Sequence, residues 1–327
     1  MAPGHILVTG ATGLVGNNVV RQLLARGARV RVLVRESSDP RPLEGLDVER
    51  VCGDICQPDS LKQACQGAHA VIHAAGYVHI GRSNLDVHRT VNVDGTRNVA
   101  RAARASGARM IHVSSTDAAG VGSLKEPADE DTPLADPMGC SYAITKREAE
   151  QVVQEEIARG LDAVIVNPGF MLGPWDWKPS SGRMLLEVAR GRALVAPPGH
   201  FSVCDVRDVA AGILSAVERG QCGRRYLLAG KTMSYLEAFR LFADVTGGRR
   251  PFGCPGVAVS MIGGWIGDLG TLLTGHESDV NSAAVRIARL PKTYSSRRAE
   301  QELGYARRPV EESARDAWQW FREHGYG

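Results

Sequence analysis

Apolar positions follow two rhythms through the first half of the chain. Short runs with little polar interruption, at His5 to Val8, Arg29 to Val34, Val48 to Cys52, Ala70 to His73, Arg109 to Val113 and Ala163 to Val166, have the length of strands buried on both faces. Between them the apolar residues recur with helical spacing. Val19, Val20, Leu23 and Leu24 mark a first helix that Gly27 ends, and a long amphipathic stretch from about Leu85 to Ser106 marks another. Strands alternating with helices at this spacing predict an α/β fold built on a doubly wound parallel sheet. In such a sheet ligands bind at the carboxyl ends of the strands.

Those ends carry the chain's candidate chemistry. The first strand runs into Thr9-Gly10-Ala11-Thr12-Gly13-Leu14-Val15-Gly16. Gly10 permits a tight turn, Gly13 lets backbone amides approach a pyrophosphate, and Gly16 lets the helix pack closely on the strand. Strand, glycine turn and helix in that order predict a dinucleotide site. The second strand ends in Arg35-Glu36. An acid there suits the ribose hydroxyl of NAD, whereas an arginine suits a 2′-phosphate, so Arg35 points to NADP, with NAD the alternative. Gly53-Asp54-Ile55 follows the third strand, where Asp54 can face the adenine edge, and Ala74-Ala75-Gly76 follows the fourth. The small residues of that second turn would let a cofactor pass close to backbone. The fifth strand runs into Ser114-Ser115-Thr116 and the sixth into Asn167-Pro168-Gly169.

The stretch Ser141-Tyr142-Ala143-Ile144-Thr145-Lys146 holds the most pointed pattern. On a helix, Tyr142 and Lys146 share a face, so the ammonium can lie beside the phenol. A fixed cation stabilises the phenolate and moves its pKa, ordinarily near 10, toward the working range, which makes the pair an acid/base couple. A hydroxyl from residues 114–116 would hold a substrate carbonyl meanwhile.

After Gly169 the alternation weakens. Phe170, Met171, Trp175 and Trp177 cluster with prolines and glycines, and a helix from about Met184 to Arg190 leads to Pro197-Pro198-Gly199-His200. Aromatics on loops at this edge are candidate walls for an organic substrate, or caps of a small second core. Tyr77 and His79, just past the fourth turn, are counted with His200 as candidate substrate contacts. Val203 to Val217 returns to the sheet, Arg225 to Leu228 is a further strand, and the rest is mostly helical. The division expected is a dinucleotide-binding domain over 1–168, to which 202–230 returns, and a substrate-binding region over 169–201 and 231–327.

Composition narrows the picture further. The 327 residues are 43% hydrophobic and 23% charged, and the net charge of +3 gives no reason to expect a nucleic-acid partner. Seven scattered cysteines without a C-x-x-C pair suggest buried thiols, not a metal site. The start goes directly into a strand-like run, so the expected location is the cytoplasm. Residues 255–275 are apolar but interrupted by Asp268 and five internal glycines. A buried or substrate-covering helical region is expected there, without stable membrane insertion.

Taken together these residues resemble the extended branch of the short-chain dehydrogenase/reductase superfamily. The resemblance rests on T-G-A-T-G-L-V-G at 9–16, G-D-I at 53–55, H-A-A-G at 73–76 and N-V-D-G-T-R-N at 92–98. It continues through S-S-T at 114–116, Y-A-I-T-K at 142–146, N-P-G at 167–169 and L-G-Y at 303–305. It implies a Rossmann fold, a homodimer, an NAD(P) site, Tyr142 as proton donor or acceptor, and Lys146 as its electrostatic partner and ribose ligand. It places the substrate-orienting hydroxyl on Thr116, with Ser115 beside it and Ser114 nearer the nicotinamide, and it puts Asn92 near the active site. Arg35, the apolar stretch after the sixth strand and the 255–275 segment look more like the dihydroflavonol-reductase and 3β-hydroxysteroid-dehydrogenase side than like sugar-nucleotide epimerases or dehydratases. The expected reaction is hydride transfer between nicotinamide and a carbonyl or secondary alcohol of an apolar, cyclic small molecule. An NDP-sugar 4-epimerase or 4,6-dehydratase with tightly held NAD is the alternative, and a cofactor-sensing scaffold a further one.

Overall fold

A computed structural model describes residues 4–134, 136, 139–274 and 280–327. Six strands fall where the hydrophobic runs lie: β1 (His5–Thr9), β2 (Val30–Val34), β3 (Glu49–Cys52), β4 (Ala68–His73), β5 (Arg109–Val113) and β6 (Ala163–Pro168). Three short strands and one more sheet strand follow: β7 (Phe170–Leu172), β8 (His200–Asp205), β9 (Arg225–Leu228) and β10 (Lys231–Ser234). The main sheet has the order β3-β2-β1-β4-β5-β6-β9, and every pairing in it is parallel. This is the doubly wound α/β arrangement, with its order reversing between β1 and β4.

The strands read as unbroken apolar runs because both faces are covered. Leu7, Val71, Met110 and Ile165 point into one helical layer, with Leu61, Val99 and Val153. Their neighbours Val8, Ile72, Ile111, Val164 and Val166 point into the other, with Val19, Val20, Val209 and Ile213. Alternate side chains of each strand thus bury against opposite layers. A second core joins the sheet β10-β8-β7 to the helices Gly182–Ala189, Tyr235–Thr246 and Val310–Glu323 through Leu185, Phe201, Phe239, Phe242 and Phe321.

Three local expectations are corrected. Val203 lies in β8, which pairs with β7 and β10 in the small sheet; only the following helix, Val206–Arg219, packs on the main one. An apolar run predicts a strand but not its partner, which is the reason for the difference. The stretch 85–106 is helical throughout, but Arg89–Asp94 forms a π-helical turn between two α-helical parts. Finally, the apolar stretch is a helix, Val257–Thr274, yet among its residues only Gly264 is buried. Its large apolar side chains face outward, which a pattern of residue types cannot foretell; residue 275 lies outside the described residues.

Candidate active site

Because the main sheet is parallel, the turns after β1, β2, β3, β4, β5 and β6 all open on one edge. Gly10 has φ +72°, and a Cβ on it would stand 2.6 Å from the Ala75 nitrogen, so the turns after β1 and β4 touch backbone to backbone. A Cβ on Gly16 would stand 2.2 Å from the Gly10 carbonyl oxygen, which is how closely the first helix, Leu14–Ala25, seats on its own turn. Gly13 occupies the N-cap of that helix. No side chain caps it and no acid sits in the first turn. Thr12, Leu14 and Val15 complete the loop.

This end of the helix fits a pyrophosphate: amide donors that no side chain caps, a favourable dipole and no acid in the first turn. Arg35 is exposed at the end of β2, held by its own backbone N–H donating to Ser38 Oγ at 3.1 Å, and its guanidinium forms no ion pair among the described residues. Asp54 caps its turn, accepting from the Cys56 N–H at 2.9 Å, and Ile55 is buried with its carbonyl accepting from Asn98. Ala74, Ala75 and Gly76 line the next turn.

Asn92, in the π-helical turn, ties together the segments around Tyr142. Its Oδ1 accepts from the Tyr77 N–H at 2.8 Å, and its Nδ2 donates to the Tyr77 carbonyl at 3.0 Å and to Thr145 Oγ1 at 3.1 Å. One amide therefore fixes both the loop after β4 and the helix Ser141–Ile157. A wide π turn frees the geometry that lets a buried Asn reach two elements at once. A Cβ on Gly76 would lie 3.3 Å from Asn92 Oδ1 and 3.6 Å from Lys146 Nζ, so glycine leaves open the space in front of the lysine.

Tyr142 and Lys146 occupy the start of the helix Ser141–Ile157, both buried. Tyr142 lies in an apolar group with Cys140, Ala143 and Ile287, against which Ile80 packs. Burial pushes its phenol above the usual range, the carboxylate of Asp117 adds to that, and a hydrogen bond with Ser115 acts in the opposite sense. Lys146 donates to the Val113 carbonyl at 2.9 Å, and burial pulls its pKa down to about 8, with Glu150 opposing. The expected lowering of the phenol by Lys146 is thus absent in the protein by itself. Burial outweighs the cation, whose ammonium is turned toward the end of β5.

The three hydroxyls after β5 have separate surroundings. Ser114 donates to Glu150 Oε1, which also accepts from Asn167 Nδ2 at 2.6 Å, while Arg225 pairs with Glu150 Oε2. Ser115 faces Tyr142 and accepts from the Asp117 N–H at 3.1 Å. Thr116 begins a short 3-10 turn, and its carbonyl accepts from the Tyr294 hydroxyl at 3.2 Å. Pro168 ends β6, and Gly169 is pressed against β8: a Cβ there would meet the Ser202 carbonyl oxygen at 2.8 Å.

Two polar groups beside these residues lay outside sequence reasoning. Lys292 Nζ donates to Asp117 Oδ1 at 2.5 Å. Burial works against the Lys292 charge, but Asp117, Tyr235 and Tyr294 outweigh it and hold its pKa above the ordinary value. A cavity of about 20 Å³, room for one water molecule, opens between Thr116, Asp117, Ala143, Ile287, Lys292 and Tyr294. No motif links residues 117 and 292. The Glu150, Asn167 and Arg225 network likewise has no local signature.

The candidate substrate walls divide between two places. Tyr77 meets His88 edge to face at 4.6 Å, and His88 is 6.4 Å from Tyr142, so this aromatic pair adjoins Tyr142; His79 is two residues further along the same loop. Phe170 packs on Phe201, and His200 begins the strand that carries Phe201. Met171 packs on the core beneath the main sheet. Trp175 and Trp177 meet Trp320 and His324 in tilted and edge-to-face contacts in the second core, and the Arg21 guanidinium lies 3.3 Å over the Trp175 ring. Neither tryptophan belongs to the apolar group around Tyr142.

Comparison with known proteins bears on this arrangement. Residues 6–229 match the profile of the NAD dependent epimerase/dehydratase family. The chain is 36% identical over 323 residues to a Methylococcus capsulatus protein named sterol demethylase protein B, covering 98% of each. It is 34% identical over 327 residues to a putative dihydroflavonol 4-reductase of Synechocystis, covering 98% of this chain and 95% of the other. The crystal structure of a nucleoside-diphosphate-sugar epimerase from Pseudomonas aeruginosa superposes with a TM-score of 0.83 over 99% of both chains, at 25% identity.

Proposed function

Because the chain belongs to the NAD-dependent epimerase/dehydratase family, an extended short-chain dehydrogenase/reductase group of NAD(P)-dependent enzymes, we propose that it is a ketoreductase or alcohol dehydrogenase acting on an apolar ring compound, with NADP(H) preferred. The observation that carries this reading is the setting of Tyr142. Its phenol is buried in an apolar group with Cys140, Ala143 and Ile287, against which Ile80 packs, with the Ser115 hydroxyl and the Asp117–Lys292 ion pair at hand. Relatives named for a sterol and for a dihydroflavonol supply the ring.

In this reading a bound nicotinamide gives or takes the hydride. The residues of the chain do the rest. The turn after β1 and the helix behind it would hold the pyrophosphate, and the Arg35 guanidinium would supply the charge for a 2′-phosphate. Tyr142 Oη gives its proton to the substrate oxygen during reduction and takes one back during oxidation. Ser115, which already faces that phenol, holds the same oxygen, in place of the Thr116 expected from the resemblance. Lys146 binds the cofactor ribose and carries the positive charge that lowers the cost of a phenolate. Asn92 keeps the loop after β4 and the Tyr142 helix in register, and Tyr77 with His88 walls the substrate side.

The test is a titration of NADPH against NADH, followed by a panel of cyclic ketones and NDP-sugars. Oxidation of NADPH that depends on a cyclic ketone is expected. Copurified NAD that resists dialysis, together with NDP-sugar turnover needing no added cofactor, would overturn the reading in favour of an epimerase or dehydratase.

A further inference from the structure

The helix Val257–Thr274 has its polarity reversed. Ile262, Trp265, Ile266, Leu269, Leu272 and Leu273 are all exposed, the last two to 82% and 79%. At 100° per residue these six fall within an arc of about 120°. Gly264, Gly267, Asp268 and Thr271 occupy the opposite side, where Gly264 and Asp268 meet the protein. A Cβ on Gly264 would stand 2.9 Å from Ser282 Cα, and the one acid of the helix, Asp268, accepts from the Ser282 N–H at 3.1 Å. The helix is therefore seated by its small and polar face on the helix Ser282–Ala288, and its large apolar face is the one turned out. A surface helix of a water-soluble domain shows the reverse pattern.

Two further features lie beside it. Leu194, Val195 and Phe252 are exposed, and the Phe252 N–H donates to the Leu194 carbonyl at 2.9 Å, so they form a second apolar patch five residues before the helix begins. Arginines rim this patch: Arg190, Arg192, Arg249 and Arg250, against the carboxylates of Glu187 and Asp244 with which three of them pair. The Arg249 guanidinium lies 4.6 Å over the Phe252 ring.

We propose that this face docks on a lipid bilayer, the helix Val257–Thr274 lying along an anionic membrane surface with its apolar arc among the acyl chains and the arginines on the headgroups. At about 27 Å the helix is long enough to hold that orientation. Its mean hydropathy of 1.4 and its single carboxylate, engaged inward, favour burial in lipid over water. The central Trp265 is of the residue type that concentrates at headgroup level. The basic rim decides between a bilayer and a second copy: a symmetric pairing would set the same excess of arginine against itself, whereas anionic headgroups complement it. The assignment of this surface stands whether or not the chain reduces a ketone. It also bears on the site, since Ile287 of the supporting helix packs beside Tyr142, one helix away from the bilayer face.

Vesicle flotation of the full chain tests the proposal, using phosphatidylcholine alone and phosphatidylcholine mixed with phosphatidylglycerol. The chain is expected to float with the mixed vesicles and to be released by salt. Leu269→Ser/Leu272→Ser/Leu273→Ser should reduce the floated fraction at least tenfold with NADPH binding and melting temperature retained, and Arg249→Glu/Arg250→Glu should abolish the preference for anionic lipid. Quenching of the unsubstituted chain by brominated acyl chains, lost in Trp265→Phe, gives a reading that survives even if the triple variant misfolds. A chain that stays behind with both vesicle types and is not quenched overturns the proposal. So does a dimer that the triple substitution converts to monomer while neither form binds vesicles.

Discussion

The ammonium of Lys292 meets the carboxylate of Asp117 across 175 positions of sequence, and both act on Tyr142, Asp117 raising its pKa and Lys292 lowering it. Removing the cation leaves Asp117 uncompensated beside the phenol. Lys292→Met should therefore move the alkaline limb of the pH–rate profile upward and lower kcat by about tenfold or more, an effect of the size of one charge-assisted hydrogen bond. Lys292→Arg should restore part of it. A profile unchanged in Lys292→Met would show that the pair only braces the turn.

Tyr142→Phe should lose about 10²–10⁴-fold in kcat, the usual worth of general acid–base catalysis. NADPH affinity should stay within a few-fold of the unsubstituted enzyme, measured by nicotinamide fluorescence. Full turnover in the variant would end the assignment.

The two hydroxyls are separable. Ser115→Ala should reduce kcat about 10²- to 10³-fold, the loss of one donor to the developing oxyanion, whereas Thr116→Val, whose contact to Tyr294 runs through its backbone, should cost less. The opposite order in steady-state kinetics would return the orienting role to Thr116.

Arg35→Ala should weaken NADPH about 10- to 100-fold, from the loss of charge-assisted hydrogen bonds, and leave NADH nearly unchanged. Parallel titrations decide it: an unaltered NADPH to NADH ratio would remove Arg35 from the cofactor site.

Lys146 makes a prediction about stability. Its folded pKa of about 8 lies below the ordinary 10.5. Between those values the unfolded chain binds the proton that the folded chain releases, so this group's contribution to stability rises with pH across that window and is an unrelieved cost below it. The cost at pH 7 has an upper value of about 3 kcal/mol. Lys146→Met should raise the melting temperature of the cofactor-free protein at pH 7, with the gain shrinking toward pH 10, while weakening NADPH binding. A lower melting temperature at pH 7 would contradict it.

Much of this could be read from the chain because its signals are local. Strand, turn and helix are adjacent in sequence around Gly10, and Tyr142 and Lys146 are one helical turn apart, so periodicity alone places them. What could not be read depends on distant partners or on orientation. Asp117 and Lys292 meet only because the segment after the helix Ser282–Ala288 folds back over the turn after β5. Trp175 and Trp177 look like wall residues as loop aromatics, yet their partners Trp320 and His324 lie on and just after the last helix. The run at 255–275 shows which residues are apolar but not which side of the helix meets the protein. Small residues proved to be the seat and large ones the surface.

The π-helical turn at Arg89–Asp94 constrains how this chain can change in length. Each turn of such a helix holds one residue more than an α-helix needs, so deleting a single residue there would leave a more regular helix. That deletion would also rotate Asn92 by roughly a quarter turn or more, taking its amide away from Tyr77 and Thr145. The segment is thus a place where shortening improves local geometry and dismantles the site, and insertions or deletions should be tolerated far better in the exposed loops than in this turn, whose Asn92 and Val93 are buried.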